Sequence, residues 1–226
     1  PLADTWRLKG GIGNEVDQNR LLNLHETNAY LLDSLSLQTT ITQLPFFTQL
    51  EGNVTRDLKF KGGARFQDIE NALYFIPSST DSSRFFLRYG QGELTIFEYF
   101  MGLEWSPDPS FQLSGKYSIF ENNASTEIEP WYRPNASYHF SLRKSFGKLA
   151  VGSDLRGVMG LRAPTSTEEV MDLPAIVDLG VHVNYLVNDQ LSVFARGNNL
   201  LNKEYEYYYL YPSRALTAKV GLSYRF

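Results

Sequence analysis

The sequence contains no cysteine and no apolar segment long enough to form a membrane-spanning helix. The first absence excludes a disulfide framework and cysteine-ligated metal sites, and it fits an envelope protein as well as many cytosolic ones. The second absence excludes a helical membrane protein, because such a helix needs about 20 apolar residues. Residues 1–4 also lack the basic and apolar regions of a signal peptide. We therefore expect either a mature protein or a piece of a longer one.

Motifs for catalysis and for nucleic-acid binding are also missing. Only three histidines occur, at His25, His139 and His182, and no Gly-x-Ser-x-Gly, His-Glu-x-x-His or phosphate-binding glycine loop accompanies them. The formal net charge is -4, and the basic residues are scattered rather than clustered. We therefore expect no enzyme, no cofactor, no catalytic or metal site, and no nucleic-acid partner.

The strongest positive signal is strict alternation at the C-terminus. Every even position from 216 to 226 is apolar, and every odd position is polar or small. A period of two over this length predicts a strand with two chemically opposed faces. The strand ends on the aromatic residue Phe226.

Similar alternation recurs through the chain and predicts ten strands. Their lengths suit oblique crossing of a membrane, which takes about 9 to 11 residues per strand. The ten candidates are residues 5–14, 42–54, 58–69, 93–105, 111–121, 136–146, 149–161, 177–187, 190–202 and 216–226. The sequence therefore predicts an all-β protein, a transmembrane antiparallel β-barrel with about ten strands in this chain.

The connections between these strands alternate between short and long. Short turns lie near residues 55–57, 106–110, 146–148 and 187–190, and long loops occupy 15–41, 70–92, 122–133 and 162–174. A barrel inserted from one side has short periplasmic turns and long outer loops, whereas a soluble sandwich has no reason for this segregation. We therefore expect both termini in the periplasm.

Four residues of the last strand resemble the C-terminal signal of bacterial barrel proteins: Lys219, Gly221, Tyr224 and Phe226. This resemblance implies the barrel-assembly machinery as a partner. An ordinary amphipathic strand closing a soluble sandwich is the alternative.

Three longer segments resemble TonB-dependent outer-membrane receptors. The run from Arg196 to Tyr205 (RGNNLLNKEY), followed by Tyr-Pro-Ser-Arg at 211–214, is similar to the end of these receptors. The segment from Leu50 to Arg65 is similar to a strand, turn and strand of the family that end in Gly-Gly-(Leu/Ala)-Arg. A looser similarity covers 90–105, where the Pro-Glu of the family is missing.

The resemblance implies an active transporter of the bacterial outer membrane. Its 22-stranded barrel would surround a plug domain, and it would import a scarce ligand such as a ferric siderophore, cobalamin or a metal complex, energised through TonB. Residues 1–226 would supply the last ten strands as a multi-pass barrel segment without the plug. The implied partners are outer-membrane lipids, lipopolysaccharide, and TonB through a plug outside this chain. The alternative is a passive porin-like or small structural barrel, in which residues 70–92 fold inward as a constriction.

Two groups of residues are candidates for ligand contact. Alternation assigns one set to the lumen wall, including Arg65, His139, Arg143, Arg156, His182 and Arg196. A cationic wall favours anionic ligands, but it can equally neutralise acidic groups of a plug. A loop cluster, Tyr205, Tyr207, Tyr208, Tyr209 and Tyr211, offers ligand-facing aromatic rings, with an interfacial belt or strand continuation as the alternative.

Overall fold

The computed structural model describes residues 6–32, 36–81, 83–125, 129–167 and 169–226. These residues form one helix and seventeen strands. In chain order the elements are β1 (Arg7–Ile12), β2 (Glu15–Gln18), α1 (Leu21–Thr27), β3 (Thr39–Asn53), β4 (Leu58–Glu70), β5 (Leu73–Pro77), β6 (Phe85–Tyr89), β7 (Glu93–Asp108), β8 (Phe111–Ala124), β9 (Ala136–Phe146), β10 (Leu149–Met159), β11 (Arg162–Pro164), β12 (Val170–Asp172), β13 (Ile176–Leu186), β14 (Leu191–Asn198), β15 (Glu206–Tyr208), β16 (Tyr211–Pro212) and β17 (Thr217–Tyr224).

A single antiparallel sheet contains the ten long strands. Its order is β1-β3-β4-β7-β8-β9-β10-β13-β14-β17, and β2 also pairs with β3. Each of the ten predicted strands overlaps one strand of this order, so the all-β prediction is confirmed. The pairing of β3 with β4 shifts register between Gln43 and Phe46. Pro45 lies within this interval and has no backbone N–H to donate, which accounts for an irregular ladder there.

The pairing register gives the sheet one apolar and one polar face. Phe60 pairs with Leu103, Leu103 with Gly115, and Gly115 with Phe140, so these residues share the apolar face. The side chains of this face are exposed although they are apolar, as Leu103 (52 %) shows. A continuous exposed apolar surface costs free energy in water and is stable against lipid.

Glycine allows aromatic rings to lie flat on both faces. A Cβ atom added at Gly115 would lie 2.7 Å from Cδ1 of Phe140 on the neighbouring strand. At Gly221 an added Cβ would collide with the ring of Phe194. These two glycines are therefore required by the close approach of a ring across the strand pair.

The buried apolar residues lie mainly at the long-loop end of the sheet, where the loops pack together. Three clusters of buried residues form this loop layer, and Tyr132 packs against all three. Tyr132 has a φ of 57°, and its N–H donates to the carbonyl of Arg162 at 2.8 Å. A left-handed conformation is uncommon for a bulky residue, and this packing holds it in place.

Structure within the long loops was not predicted from the sequence. The hairpins β5–β6, β11–β12 and β15–β16 are each a separate two-stranded sheet, and α1 has seven residues. Elements this short carry too few residues for a period of two or 3.6 to be recognised. Among the described residues, no helix is long and apolar enough to cross a membrane.

A substitution at Phe85 would test whether the loop layer has a hydrophobic core of its own. The Phe85 side chain is fully buried against Leu24, Leu31 and the rings of Tyr208 and Tyr211. We expect Phe85→Ala to destabilise the loop layer by about 3–5 kcal/mol through the cavity it leaves. Hydrogen exchange of residues 20–32 and 73–89 in the intact protein would measure this loss.

Tyr207→Ala is the matched control, because Tyr207 is 49 % exposed. Exchange in the long strands should stay slow in both variants. Unchanged exchange of the loops in Phe85→Ala would contradict a packed loop layer.

Candidate functional site

The residues that alternation assigned to the lumen wall share the polar face of the sheet. Lys116 pairs with His139, His139 with Arg156, and Arg156 with Asp178, which forms one row across four strands. A second row, nearer the short turns, runs from Arg143 through Gly152, His182 and Arg196 to Lys219. The contact of this face with a ligand stays a prediction.

Glu98 is the buried acid of the polar face. Its side chain is 9 % exposed, and its carboxylate accepts from Arg65 at 3.0 Å, from Ser118 at 2.9 Å and from Lys116 at 3.4 Å. A carboxylate removed from water needs such partners, because an unpaired buried charge is costly. Glu98 was not predicted from the sequence as a site residue, although its even position on β7 would have placed it on this face.

A histidine, aspartate and histidine stand side by side on three neighbouring strands. Asp154 lies between His139 (3.4 Å from Nε2) and His182 (3.7 Å from Nδ1). These residues line a cavity of about 250 Å³ together with Arg156 and Arg196. Within the ranges that the structure describes, no group of His, Cys, Asp and Glu side chains is arranged to hold a metal ion. The cavity offers charged and hydrogen-bonding side chains.

Asp178 links the wall to the last loop. One carboxylate oxygen accepts from Arg156 at 3.3 Å and from the hydroxyl of Tyr205 at 3.2 Å. The other oxygen accepts from the backbone N–H of Asn199 at 3.0 Å. The position of the last loop thus depends on a charged residue of the polar face.

Three basic residues of the second row have no carboxylate partner in the described part of the chain: Arg143, Arg196 and Lys219. Basic residues outnumber acidic ones over the whole polar face, and the acidic residues are largely engaged already. Part of the excess positive charge of the polar face therefore lies in this row, and Lys59 and Lys61 on β4 likewise have no carboxylate partner among the described residues.

The tyrosines of the last loop differ in their surroundings. Tyr208 and Tyr211 pack into the buried cluster around Phe85, whereas Tyr205 and Tyr209 pack against the cluster around Leu161. Tyr207 is half exposed. Four of the five rings thus help to hold the loop layer together, and ligand contact by this group stays a prediction.

Contacts of the last loop reach the first two long loops of the chain. The Tyr208 hydroxyl donates to the Thr27 carbonyl at 3.2 Å, and the Tyr211 hydroxyl donates to the Ser83 carbonyl. The rings of Tyr30 and Tyr211 lie 3.8 Å apart between centroids. The sequence could not reveal these pairings, because loop residues carry no period that predicts their partners.

Burial affects the acidity of the loop tyrosines. Desolvation raises the pKa of Tyr132, Tyr208 and Tyr211 above the ordinary value of tyrosine. Burial also lowers the pKa of the neighbouring Arg133 guanidinium. The loop layer therefore holds its phenols in the neutral form.

The four residues of the assembly signal lie at the end of β17. Lys219 and Gly221 share the polar face, since they pair with Arg196 and Phe194. Tyr224 pairs with Leu191 on the apolar face, and its ring meets that of Phe226 at 5.2 Å between centroids. An exposed aromatic pair of this kind suits a membrane interface. Recognition by the assembly machinery stays a prediction.

Solved structures of transporters and receptors share this fold. Copper transporter OprC matches with a TM-score of 0.70 and 14 % sequence identity, and the match covers 100 % of this chain and 38 % of the OprC chain. The ferric-catecholate import receptor Fiu from E. coli K12 matches with a TM-score of 0.66 and 16 % sequence identity, over 100 % of this chain and 34 % of the Fiu chain. The pyoverdine outer-membrane receptor FpvA from Pseudomonas aeruginosa PAO1 matches with a TM-score of 0.69 and 13 % sequence identity, over 99 % of this chain and 34 % of the FpvA chain.

The chain has the fold of a part of the β-barrel wall in these structures. The resemblance to TonB-dependent receptors is thereby confirmed at the level of the fold, and these structures are transporters and receptors, not enzymes. The chain spans about a third of the length of the structures that it matches. No protein-family model and no curated protein matches the sequence.

Glu98→Ala tests the carboxylate at the centre of the polar face. We expect the variant to lower the free energy of unfolding by about 2–3 kcal/mol, because it removes three charged or polar contacts at once. Urea unfolding of the intact protein, reconstituted in lipid, would measure the change.

Glu104→Ala is the control, since Glu104 also lies on β7 and contacts only Gln112, at 3.3 Å, among the hydrogen bonds of the described residues. An equal loss in the two variants would show that Glu98 has no special structural role.

The raised pKa values of the tyrosines predict that the loop layer unfolds locally at alkaline pH. A tyrosine whose pKa is higher in the folded state than in the unfolded state loses its proton more easily when the loops open. Its contribution to the stability of the loop layer is therefore complete below the ordinary tyrosine pKa of about 10 and decreases as the pH rises above that value. We expect hydrogen exchange of the loops, corrected for the intrinsic rate, to increase above that pH while the long strands stay protected.

Tyr132→Phe removes one ionisable phenol and keeps the ring. The Tyr132 hydroxyl is buried without a hydrogen-bond partner among the described residues, so phenylalanine fits the site. The variant should shift the onset of opening to higher pH. An identical onset in both proteins would contradict this assignment.

Proposed function

We propose that this chain forms part of the barrel wall of an outer-membrane transport receptor that imports a scarce, negatively charged metal complex with energy delivered through TonB. The fold supports the transport class, since the solved structures that share it include a copper transporter and a ferric-catecholate import receptor. The exposed apolar face supports a position in the outer membrane, where lipid covers such a surface.

The observation that carries the proposal is the row of unpaired cations on the polar face. Arg196 and Lys219 pair across the neighbouring strands β14 and β17, and Arg143 lies on β9 in the same row, separated from Arg196 by Gly152 and His182. Positive charge in a partly dehydrated cavity is poorly screened, so it attracts an anion more strongly than the same charge does in open water. Arginine also binds carboxylates and catecholate-type oxygens through two parallel N–H donors.

The neighbouring acids do not cancel this charge. Asp178 is engaged with Arg156, and Asp154 lies between two histidines. A ligand with several anionic oxygens can therefore approach the second row without meeting an unpaired carboxylate. A neutral ligand would gain little from the same surface.

The test uses the intact protein in its host under metal limitation, with a radiolabelled ferric tris-catecholate as the anionic probe and a neutral ferric hydroxamate for comparison. We expect the double variant Arg143→Gln/Arg196→Gln to lower uptake of the anionic probe by about tenfold, as loss of two charge-assisted contacts predicts. Uptake should also stop when TonB is removed.

Arg56→Gln provides the matched control, because Arg56 lies exposed in the short turn between β3 and β4, away from the polar face. Uptake that persists without TonB would replace the active receptor by a passive pore. Equal uptake of both probes by wild type and double variant would refute selection of an anion by the wall.

A further inference from the structure

The apolar face carries a groove at its short-turn end. Its sides are formed by Trp105 and Leu113 near the short turns and by Met101 and Tyr117 farther along β7 and β8. The groove has a volume of about 680 Å³ and also contacts Leu58 and Thr55 beside the turn after β3.

Glycine and two flat rings shape the floor of the groove. The row Phe60, Leu103, Gly115 and Phe140 crosses it from β4 to β9. Phe140 lies over Gly115, and Phe60 lies over Gly62, so neither ring projects outward as a free side chain would. A recess of this width between aliphatic and aromatic walls fits a hydrocarbon chain.

A charged pair, Lys144 and Asp108, lies beyond the short-turn end of the groove, outside the residues that line it. Lys144 pairs with Phe111 in the sheet, next to the pair of Leu113 with Leu142, so its side chain belongs to the apolar face. Its ammonium lies 3.6 Å from the Asp108 carboxylate and donates to the Ser110 hydroxyl at 2.7 Å. A lysine on a lipid-facing surface is costly at mid-membrane and is tolerated near the interface.

Aromatic rings surround this lysine. Its ammonium lies 5.6 Å from the ring centroid of Phe111 and 5.9 Å from that of Phe146. Trp105 meets Phe111 edge-on at 5.3 Å between centroids. Tryptophan and lysine together are typical of the level of lipid headgroups, which places this end of the groove at a membrane surface.

We propose that the groove is a binding site for one glycerophospholipid with a zwitterionic amine headgroup of the phosphatidylethanolamine type. One acyl chain would lie over Gly115 between Trp105 and Leu113, the phosphate would accept from Lys144, and the headgroup ammonium would approach Asp108. The two protein charges balance each other, as the phosphate and the ammonium of such a lipid do. Charge complementarity therefore favours a zwitterionic lipid over a lipid with a net negative charge.

This inference rests on the outer-membrane position in the proposed function, and it concerns the face opposite to the cationic row. It assigns the short-turn end of the groove to the periplasmic leaflet, because short turns lie on that side of bacterial barrels. The lipid would fill a recess that otherwise loses van der Waals contacts along its whole floor.

The experiment is native mass spectrometry of the complete protein, extracted from outer membranes and delipidated. It is titrated with phosphatidylethanolamine or with phosphatidylglycerol of the same acyl chains. We expect wild type to bind one phosphatidylethanolamine about tenfold more tightly than phosphatidylglycerol, the difference that one charged contact supplies. Lys144→Met should abolish this preference.

Leu103→Trp tests the groove itself, because the added ring fills the floor from a position that is 52 % exposed and open to lipid. We expect it to weaken binding of both lipids by about tenfold. Ile119→Trp is the matched control, since Ile119 is 45 % exposed on the same face, outside the groove.

Equal affinity for the two lipids in wild type, or unchanged binding in Leu103→Trp, would overturn the inference. Failure to recover the complete protein from outer membranes would instead refute the proposed function. Recovery from outer membranes with TonB-dependent uptake, but without a lipid preference, would refute only the lipid site.

Discussion

The backbone hydrogen bonds between neighbouring long strands are the interaction on which the rest of the structure depends. In a hydrocarbon layer every N–H and C=O needs a protein partner, so each strand must pair along its whole length. Continuous antiparallel pairing fixes the register, and the register decides which side chains lie on the apolar face and which lie on the polar face. The cationic rows, the buried Glu98 and the outer groove are consequences of that one constraint.

The sheet and the loop layer are stabilised in different ways. The long strands form a single layer, in which the apolar side chains of one face are largely exposed and several polar side chains of the other face form ion pairs. The buried apolar residues lie mainly where the long loops meet, around Phe85, Trp131 and Ile176. Burial of apolar surface therefore orders the loops, whereas backbone pairing orders the strands.

The long strands could be predicted from the sequence because all of them except the six-residue β1 repeat a period of two for eight residues or more. Parity then assigned Arg143, His182 and Arg196 to one face. The loops could not be predicted in the same way. Elements such as α1 and β15 span two turns of helix or three residues, and their order comes from contacts made elsewhere in the chain. Tyr132 shows this best, since nothing near it in the sequence indicates that it would contact three separate clusters.

Glu98 was missed for a different reason. The strand around it was recognised, but a single glutamate on an alternating strand is indistinguishable from a solvated one until its neighbours on β4 and β8 are known. Arg65 and Lys116, which pair with it, lie more than fifteen residues away on either side. Ion-pair networks across a sheet are a property of the register, and alternation within one strand does not specify which strand comes next.

The hydrogen bond from Tyr208 to Thr27 joins residues that are 181 positions apart. Closing so long a stretch of chain costs conformational entropy that a single contact cannot recover, so this bond forms only after the intervening strands are in place. The contact between the first and last loops accordingly depends on correct pairing of the strands between them. An ordered loop layer thus marks a molecule whose strands have all found their partners.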